Sequence, residues 1–317
     1  MFKRMWNPIL RQVNPSRSGF FEGWYFKEVS GSGDEVISFI PGYSTVEGDK
    51  HAFVQYILVK NGEIKSGYIR YPLSFFKYTE APFRVEIGNN VFSIDGFSVD
   101  IDDAGFAIKG SVGFGKFLGI KRSIYAPNIM GPFAYIPNME CNHGVISLGH
   151  DLTGSLSIAG DIVTFNGGRG YLEKDWGRSF PDKYIWLQCN SFKSGSSLFL
   201  SIADITFVGF TFTGFIGVFH DGIKEYRFGS YQSGGFRVVS LTDTVVEVEL
   251  WKGFLRLFVK VTSVGSDKLV APVDGRMSLV IKEAVSAVVD YSFIDRRTGR
   301  VIEEKGCPGS FEVVGHI

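Results

Sequence analysis

The stretch FLRLFVKV, residues 254–261, predicts a β-strand and with it the fold class of the chain. Leucine and valine occupy every second position, which in a strand places them on one face of a sheet. Charged and aromatic side chains alternate on the other face. A period of two is typical of strands that are buried on one side. Short runs of this kind recur in HAFVQYILV (51–59) and VVEVEL (245–250), whereas helical periodicity is scarce.

Turn signals separate these short runs. The pairs Asn61-Gly62, Asp95-Gly96 and Asp221-Gly222 are of the type that closes β-hairpins. Glycine provides 39 and phenylalanine 30 of the 317 residues, and Gly-rich turns between aromatic-rich segments indicate β-sheet. Antiparallel strands that must not leave free edges close into barrels or double sheets. The sequence therefore predicts an all-β fold of two β-barrel or curved-sheet halves packed together.

The division into halves rests on a short internal similarity. GFFEGW (19–24) matches GYLEKDW (170–176) in its glycine, glutamate and tryptophan, about half the chain length apart. Duplication and chance recurrence both explain such a match. We place an N-terminal β-barrel-like half at residues 1–160 and a C-terminal one at 161–317. The proline-punctuated loop 126–143 cannot be a central strand, and we expect it to pack across a barrel mouth or domain interface beside an apolar pocket.

The charge balance and cysteine content exclude several functional classes. The 33 basic and 33 acidic residues cancel, so no charged field attracts nucleic acid or an anionic membrane. The cysteines 141, 189 and 307 are too far apart for a disulfide framework or a CxxC metal pair, and reduced thiols suit the cytoplasm. The longest uncharged stretch, Ile205 to Phe219, is shorter than the roughly 20 residues of a membrane helix. We expect a cytoplasmic protein without an integral membrane segment, and leave contact with a membrane surface open.

Acidic residues lie among large aromatic residues in three segments: FFEGWYFK (20–27), MECNH (139–143) and GYLEKDWGRSFPDKYIWLQC (170–189). Burial disfavours the charged carboxylate, so a carboxyl in such a setting can keep its proton and act as a general acid. Aromatic faces stabilise a developing cation. The combination suits acid-catalysed addition to a carbon–carbon double bond. The alternative is structural: the acids accept backbone hydrogen bonds or form ion pairs.

A metal site is the weaker hypothesis. Glu140, His143 and His150 include a Glu-x-x-His spacing that suits a helix, but Pro137 and Gly144 argue against a helix there. The chain contains no P-loop, no G-x-S-x-G and no dinucleotide fingerprint in a strand–helix setting. We therefore expect no metal and no cofactor.

Three blocks resemble the tocopherol cyclase family: FFEGWYFK (20–27), PFAYIPNMECNHGVISLGH (132–150) and GYLEKDWGRSFPDKYIWLQCNSF (170–192). The third block is the most specific. The resemblance implies a pair of lipocalin-like β-barrels. It also implies closure of a chromanol ring, by addition of a phenolic hydroxyl across a prenyl double bond without a redox cofactor. The wider relatives include carotenoid hydratases, which add water to a similar bond. Both reactions begin by protonating an alkene.

The resemblance and the residue chemistry together give a hypothetical site. The candidate catalytic residues are the ionisable groups of the three blocks: Glu173, Asp175, His143, Glu22 and Glu140. The candidate substrate-binding residues are aromatic: Trp24, Tyr25, Trp176, Trp186, Phe133 and Tyr135. One acid of the third block would protonate the alkene, the histidine would remove or relay the phenolic proton, and the three tryptophans would shield the cation.

The resulting functional hypothesis is a tocopherol cyclase-like enzyme of the isomerase or lyase type that acts on a lipophilic prenylated substrate such as a prenylquinone. Ring closure and hydration both remain open, as does the oligomeric state. One alternative is a non-catalytic, lipocalin-like carrier of a lipophilic small molecule. Another is a family member whose pocket is filled by its own phenylalanines. No nucleic-acid partner is expected.

Overall fold

The computed structural model describes residues 2–137, 139–207, 210–242, 244–263 and 265–315. Residue 138 of the proline-punctuated loop and residues 208–209 of the uncharged stretch lie outside the described residues. Strands dominate, and the all-β prediction is confirmed. Among the described residues, helical structure comprises α1 (Phe2–Met5) and three 3-10 helices (Leu73–Phe75, Gly131–Tyr135, Ser230–Gln232). In the described part of the chain, no helix is long and apolar enough to cross a membrane.

The first sheet has 12 strands. They are β1 (Phe21–Val29), β2 (Val36–Ser44), β3 (His51–Lys60), β4 (Glu63–Pro72), β5 (Phe76–Glu80), β6 (Phe83–Ile87), β7 (Asn90–Ser93), β8 (Gly96–Asp103), β9 (Phe106–Phe114), β10 (Cys141–Ile158), β11 (Asp161–Thr164) and β12 (Arg169–Gly177). The order is β4-β3-β2-β1-β12-β10-β9-β8-β7-β6-β5, and β11 pairs with β10. The last strand, β12, is thus inserted between β1 and β10 in the middle of the sheet.

The second sheet has 10 strands. They are β13 (Tyr184–Cys189), β14 (Ser197–Phe207), β15 (Phe210–His220), β16 (Glu225–Gly229), β17 (Gly234–Leu241), β18 (Val245–Lys252), β19 (Leu255–Thr262), β20 (Asp267–Val273), β21 (Arg276–Asp295) and β22 (Arg300–Val314). The order is β16-β15-β14-β13-β22-β21-β19-β18-β17, and β20 pairs with β21. Each sheet begins with a four-strand meander whose first strand pairs with the last strand of the sheet. The described strands form two open antiparallel sheets, the curved-sheet form of the prediction and not closed barrels.

The predicted alternation is present in the strands. In β19, Leu257, Val259 and Val261 are buried, whereas Phe258 and Lys260 are exposed. Each sheet has its own hydrophobic core, built from such inward positions. The Asn61-Gly62 pair closes the β3–β4 hairpin with φ of 53° and 77°, as a two-residue hairpin turn requires.

The chain divides into two compact units. Unit 1 contains Met1–Phe180 and Leu269–Val280, and unit 2 contains Pro181–Lys268 and Ile281–Ile317. The predicted halves, divided after residue 160, stay a prediction. The residues that follow this division, in β11 and β12, pair with β10 and β1 inside unit 1.

The inserted segment Leu269–Val280 is tied to unit 1 by hydrogen bonds. The side-chain amide of Gln55 donates to the carbonyl of Val270 (3.0 Å), and its oxygen accepts from the Val270 N–H (2.6 Å). The Ser44 hydroxyl donates to the carbonyl of Gly275 (2.7 Å). A stretch that is distant in sequence thereby completes unit 1.

Candidate active site

The central strand β12 carries ionisable residues on both faces of the first sheet. Successive side chains of a strand point to opposite faces. Leu172 belongs to the core of unit 1, so the face of Leu172, Lys174 and Trp176 is the core face. The opposite face, which carries Tyr171, Glu173 and Asp175, is called the acid face here.

His143 lies between the two carboxylates of the acid face. It occupies β10 directly opposite Asp175. Its Nδ1 lies 2.7 Å from Asp175 Oδ1, and its Nε2 lies 3.1 Å from Glu173 Oε2. The side chains of His143, Glu173 and Asp175 are 12%, 4% and 22% exposed, so the group is largely shielded but open at Asp175. We call these three residues the acid–histidine cluster.

The two carboxylates keep a proton on the imidazole. Burial alone would lower the pKa of His143, but the charges of Asp175 and Glu173 and their hydrogen bonds raise it to about 10. The ring is therefore a cation at neutral pH, held by two anions. Such a cluster stores one proton next to two acceptors.

Tyr171 extends the cluster along the same strand. Its hydroxyl donates to Glu173 Oε2 at 2.5 Å. Burial, together with the charge of Glu173 and this hydrogen bond, raises the pKa of Tyr171 well above its usual range. Tyr25, on β1, lies directly opposite Glu173 and accepts a hydrogen bond from Ser38 (3.0 Å). Two tyrosines thus flank the acid that contacts the histidine.

The acid–histidine cluster also has the donor set of a cation site. One ligand atom from each residue lies within 4.8 Å of the others, and a nitrogen with two carboxylates suits several divalent cations. The metal-ligand set considered from the sequence, which consists of Glu140, His143 and His150, is not brought together in this way. His143 pairs opposite Asp175, whereas His150 pairs opposite Gly170, five positions along β12.

Glu22 lies on the core face of the sheet, because it pairs opposite Trp176. Glu22 and Lys174 are both fully buried and form an ion pair. Burial lowers the pKa of Lys174 to about 8, although the nearby Glu22 opposes the shift. The hydroxyl of Tyr43 also donates to Glu22. The structure therefore separates Glu22 from the acid–histidine cluster by the thickness of the sheet.

The buried ion pair holds the N-terminal segment, residues 9–13. Glu22 accepts hydrogen bonds from the main-chain N–H groups of Gln12 (2.6 Å) and Val13 (2.9 Å). Lys174 donates to the carbonyl of Leu10 (2.5 Å). Trp24 donates through its indole N–H to the carbonyl of Ile9 (2.8 Å). The segment is thus bound through its backbone.

The predicted aromatic residues have different surroundings. The Lys174 ammonium lies over the rings of Trp24 (4.4 Å) and Trp176 (5.2 Å), which places both indoles on the core face. Trp186 is buried in β13 of unit 2, opposite Ser201. Of the predicted aromatic residues in unit 1, Tyr25 is the one that the strand register brings next to Glu173.

The remaining predicted residues precede or begin β10. Phe133 and Tyr135 lie on the 3-10 helix Gly131–Tyr135, where the Tyr135 hydroxyl donates to the carbonyl of Ile124 (2.5 Å). Glu140 accepts a hydrogen bond at its main-chain oxygen from the N–H of Arg178 (2.7 Å). The substrate-binding and catalytic roles assigned to them stay predictions.

Three residues of these clusters were not predicted: Tyr171, Lys174 and Tyr43. The alternation of β12 could have identified Tyr171, since it lies two positions before Glu173 and shares its face. The same rule assigns Lys174 to the opposite face. No pattern in the sequence indicated Tyr43. Its contact with Glu22 depends on the register between β1 and β2, in which Tyr43 lies directly opposite Glu22.

Comparison with known proteins identifies related sequences. A model of the tocopherol cyclase-like family matches residues 103–303. A protein of Oryza sativa subsp. japonica described as "Probable tocopherol cyclase, chloroplastic" is 35% identical over 66 residues. That match covers 21% of this chain and 14% of the rice protein, well under two thirds of its length.

Solved structures show the same fold at low sequence identity. CghA in complex with Sch210972 aligns with a TM-score of 0.62 and 10% identity, over 96% of this chain and 95% of its own. An AttH candidate from Nitrosomonas europaea aligns with a TM-score of 0.56 and 13% identity, over 97% and 100%. Kievitone hydratase from Nectria haematococca aligns with a TM-score of 0.52 and 12% identity, over 97% and 93%. The chain thus has the lipocalin-like all-β fold that the sequence resemblance implied.

Proposed function

Because the chain belongs to the tocopherol cyclase-like family, we propose that it catalyses an acid-initiated addition across a double bond of a lipophilic prenylated substrate. The addition closes a chromanol ring or hydrates the alkene. The observation that carries the proposal is the acid–histidine cluster, which places His143 between Asp175 and Glu173 in a largely shielded position.

The first step of the proposed reaction moves the stored proton to the alkene. His143 carries this proton at rest, since its pKa is about 10. When substrate displaces water, the proton passes from His143 to Glu173, because an apolar environment favours the neutral acid–imidazole pair over separate charges. The carboxylic acid of Glu173 then protonates one alkene carbon and leaves a tertiary cation on the other.

The second step adds oxygen and restores the cluster. In ring closure the phenolic oxygen of the substrate attacks the cation, and in hydration a water molecule does so. The oxygen loses its proton to the imidazole of His143, and Glu173 is again a carboxylate. One proton enters at carbon and one leaves from oxygen, so ring closure is an isomerisation and hydration adds one water molecule.

Supporting roles follow from the contacts. Tyr171 donates to Glu173 and fixes the orientation of its carboxylate (2.5 Å). Asp175 holds the Nδ1 side of His143 (2.7 Å) and so directs Nε2 toward Glu173. Tyr25, opposite Glu173, offers an aromatic surface close to the developing cation. We propose the cytoplasm as the compartment, which the free cysteines at 141, 189 and 307 support.

The test is conversion of a prenylated hydroquinone by Glu173→Gln. Loss of the general acid should lower turnover about 10²–10⁴-fold, while circular dichroism and substrate binding stay close to wild type. Asp151→Asn is the matched control. This substitution also removes a carboxylate, from a residue of β10 opposite β12, but that carboxylate pairs with Arg169 (2.7 Å) on the exposed surface. The turnover of Asp151→Asn should therefore be unchanged.

Two other outcomes count against catalysis at this cluster. Unchanged turnover in Glu173→Gln would remove Glu173 from the mechanism. The second outcome is that wild type and Glu173→Gln both bind the hydroquinone tightly, but neither protein converts the hydroquinone or a carotenoid precursor. This result would favour the carrier function over the enzyme.

A further inference from the structure

A second pair of ionisable residues meets on the core face of the first sheet. Glu28 on β1 and His150 on β10 both lie opposite Gly170 on β12. Gly170 has no side chain between them. A Cβ atom at Gly170 would stand 2.3 Å from His150 Nε2 and 2.6 Å from Glu28 Oε2. The glycine therefore allows the two groups to approach each other across the strand.

Both side chains are buried, and some of their polar atoms form no hydrogen bond with the described residues. Glu28 is 0% exposed and His150 is 1% exposed. Among the residues that the structure describes, neither carboxyl oxygen of Glu28 nor Nε2 of His150 has a hydrogen-bond partner. Buried polar atoms in folded proteins are almost always hydrogen-bonded. Three unpaired atoms around one glycine indicate a site for a small polar group.

The hydrogen bonds of Ser147 define the state of the imidazole. The Ser147 hydroxyl donates its single proton to the carbonyl of Gly149 (3.1 Å). Its oxygen, 2.9 Å from His150 Nδ1, must therefore accept a hydrogen bond from that nitrogen. His150 is neutral, because burial and then the charge of Arg169 lower its pKa to about 3. Its Nε2 is thus a free acceptor.

Glu28 has the opposite character. Burial raises the pKa of its carboxyl well above the usual range, and the opposing charge of Lys27 does not reverse this shift. A neutral carboxyl carries an O–H donor. The Phe114 and Phe117 rings lie 4.6 Å and 4.7 Å from the imidazole and provide apolar walls. One donor and one acceptor thus converge on the same point.

We propose that Glu28 and His150 form a buried binding site for one neutral hydroxyl group, over Gly170. The bound oxygen accepts from the Glu28 carboxyl and donates its proton to His150 Nε2. A water molecule or the hydroxyl of a small phenol meets both requirements. The site is independent of the addition reaction, because the acid–histidine cluster lies on the other face of β12.

The test uses wild-type protein labelled with ¹⁵N in histidine. His150 should show a protonated Nδ1 and an unprotonated Nε2 between about pH 5 and 8, with a magnetisation transfer from bound water to its ring. If phenol replaces that water, adding phenol should remove the transfer and shift the Nε2 resonance, and benzene should not. A protonated Nε2, or a ring that neither water nor phenol reaches, would overturn the proposal.

Two substitutions separate the hydroxyl site from a simple packing effect. Glu28→Gln keeps an N–H donor and should retain the contact with water or phenol. Glu28→Leu keeps the volume but removes the donor and should lose that contact. A folded Glu28→Leu protein with an unchanged Nε2 resonance would contradict the assignment of Glu28 as the donor.

Discussion

The two faces of β12 use neighbouring residues of one motif for different purposes. On the acid face, Glu173 and Asp175 hold His143 and leave Asp175 partly exposed. On the core face, Lys174 is fully buried, paired with Glu22 and in contact with the backbone of residues 9–13. The charges of the core face thus hold a segment of the chain, whereas those of the acid face surround one histidine, and the proposed function assigns proton exchange to them.

The largest expected effect concerns the core face. Lys174→Met removes one partner of a buried ion pair and leaves Glu22 without a charge partner. Breaking such a pair costs about 3–5 kcal/mol of unfolding free energy, which urea denaturation measures. The double variant Glu22→Gln/Lys174→Met should recover part of that loss. A single-variant loss below about 1 kcal/mol, typical of an exposed pair, would contradict the anchoring role.

Matched tyrosines provide the next comparison. Tyr171 donates to Glu173 on the acid face, and Tyr43 donates to Glu22 on the core face. Replacing either by phenylalanine removes a hydrogen bond to a charged group and should cost about 1.5–3 kcal/mol of stability. Only Tyr171→Phe should also lower turnover. Equal turnover losses in the folded Tyr43→Phe protein would mean that both faces contribute to the reaction.

A third comparison uses the pH dependence of stability. The pKa of His143 is about 10 in the folded chain, above its ordinary value of about 6.5. Its stabilisation is complete below about pH 6.5 and is lost as the pH rises through about 10. Lys174, with a pKa lowered to about 8, acts in the opposite sense. Between about pH 8 and 10.5 the folded lysine has lost its proton and the unfolded lysine still holds one, so stability rises with pH over this range.

Asp175→Asn isolates the histidine contribution. Lys174 is common to wild type and variant, so the difference between their unfolding free energies cancels its effect. The advantage of wild type should be largest near about pH 6 and should shrink toward about pH 10. Chemical denaturation across this range measures it. A difference that does not change with pH would show that Asp175 does not hold the His143 proton.

Much of the fold could be predicted from local pattern. Alternation and Asn-Gly turns predict strands and hairpins, because they reflect sheet geometry and the backbone conformation of two residues. The pairing of strands that are distant in the sequence could not be predicted from such local patterns. Residues 21–24 of GFFEGW lie on β1 and GYLEKDW lies on β12, so the two segments that suggested separate halves belong to neighbouring paired strands of one sheet. Their antiparallel register turns Glu22 toward the core and Glu173 away from it.

The residues of the candidate site were predicted only in part, because the register of the strands decides which side chains meet. The resemblance selected His143, Glu173 and Asp175, and the structure brings these three together. It selected Glu22 as well, although strand alternation would have placed Glu22 and Trp24 on one face. No local pattern in the sequence indicated that Glu28 and His150 lie on either side of Gly170, because this arrangement depends on the register of three strands.

The division of roles between the two faces is tested by comparing Glu22→Gln with Glu173→Gln, with turnover per folded molecule and unfolding free energy measured for both. Glu173→Gln should lose turnover about 10²–10⁴-fold. Glu22→Gln should keep turnover and lose stability, because its carboxylate accepts two main-chain hydrogen bonds and pairs with Lys174. A folded Glu22→Gln protein as inactive as Glu173→Gln, or an active Glu173→Gln protein, would contradict the division of roles between the two faces.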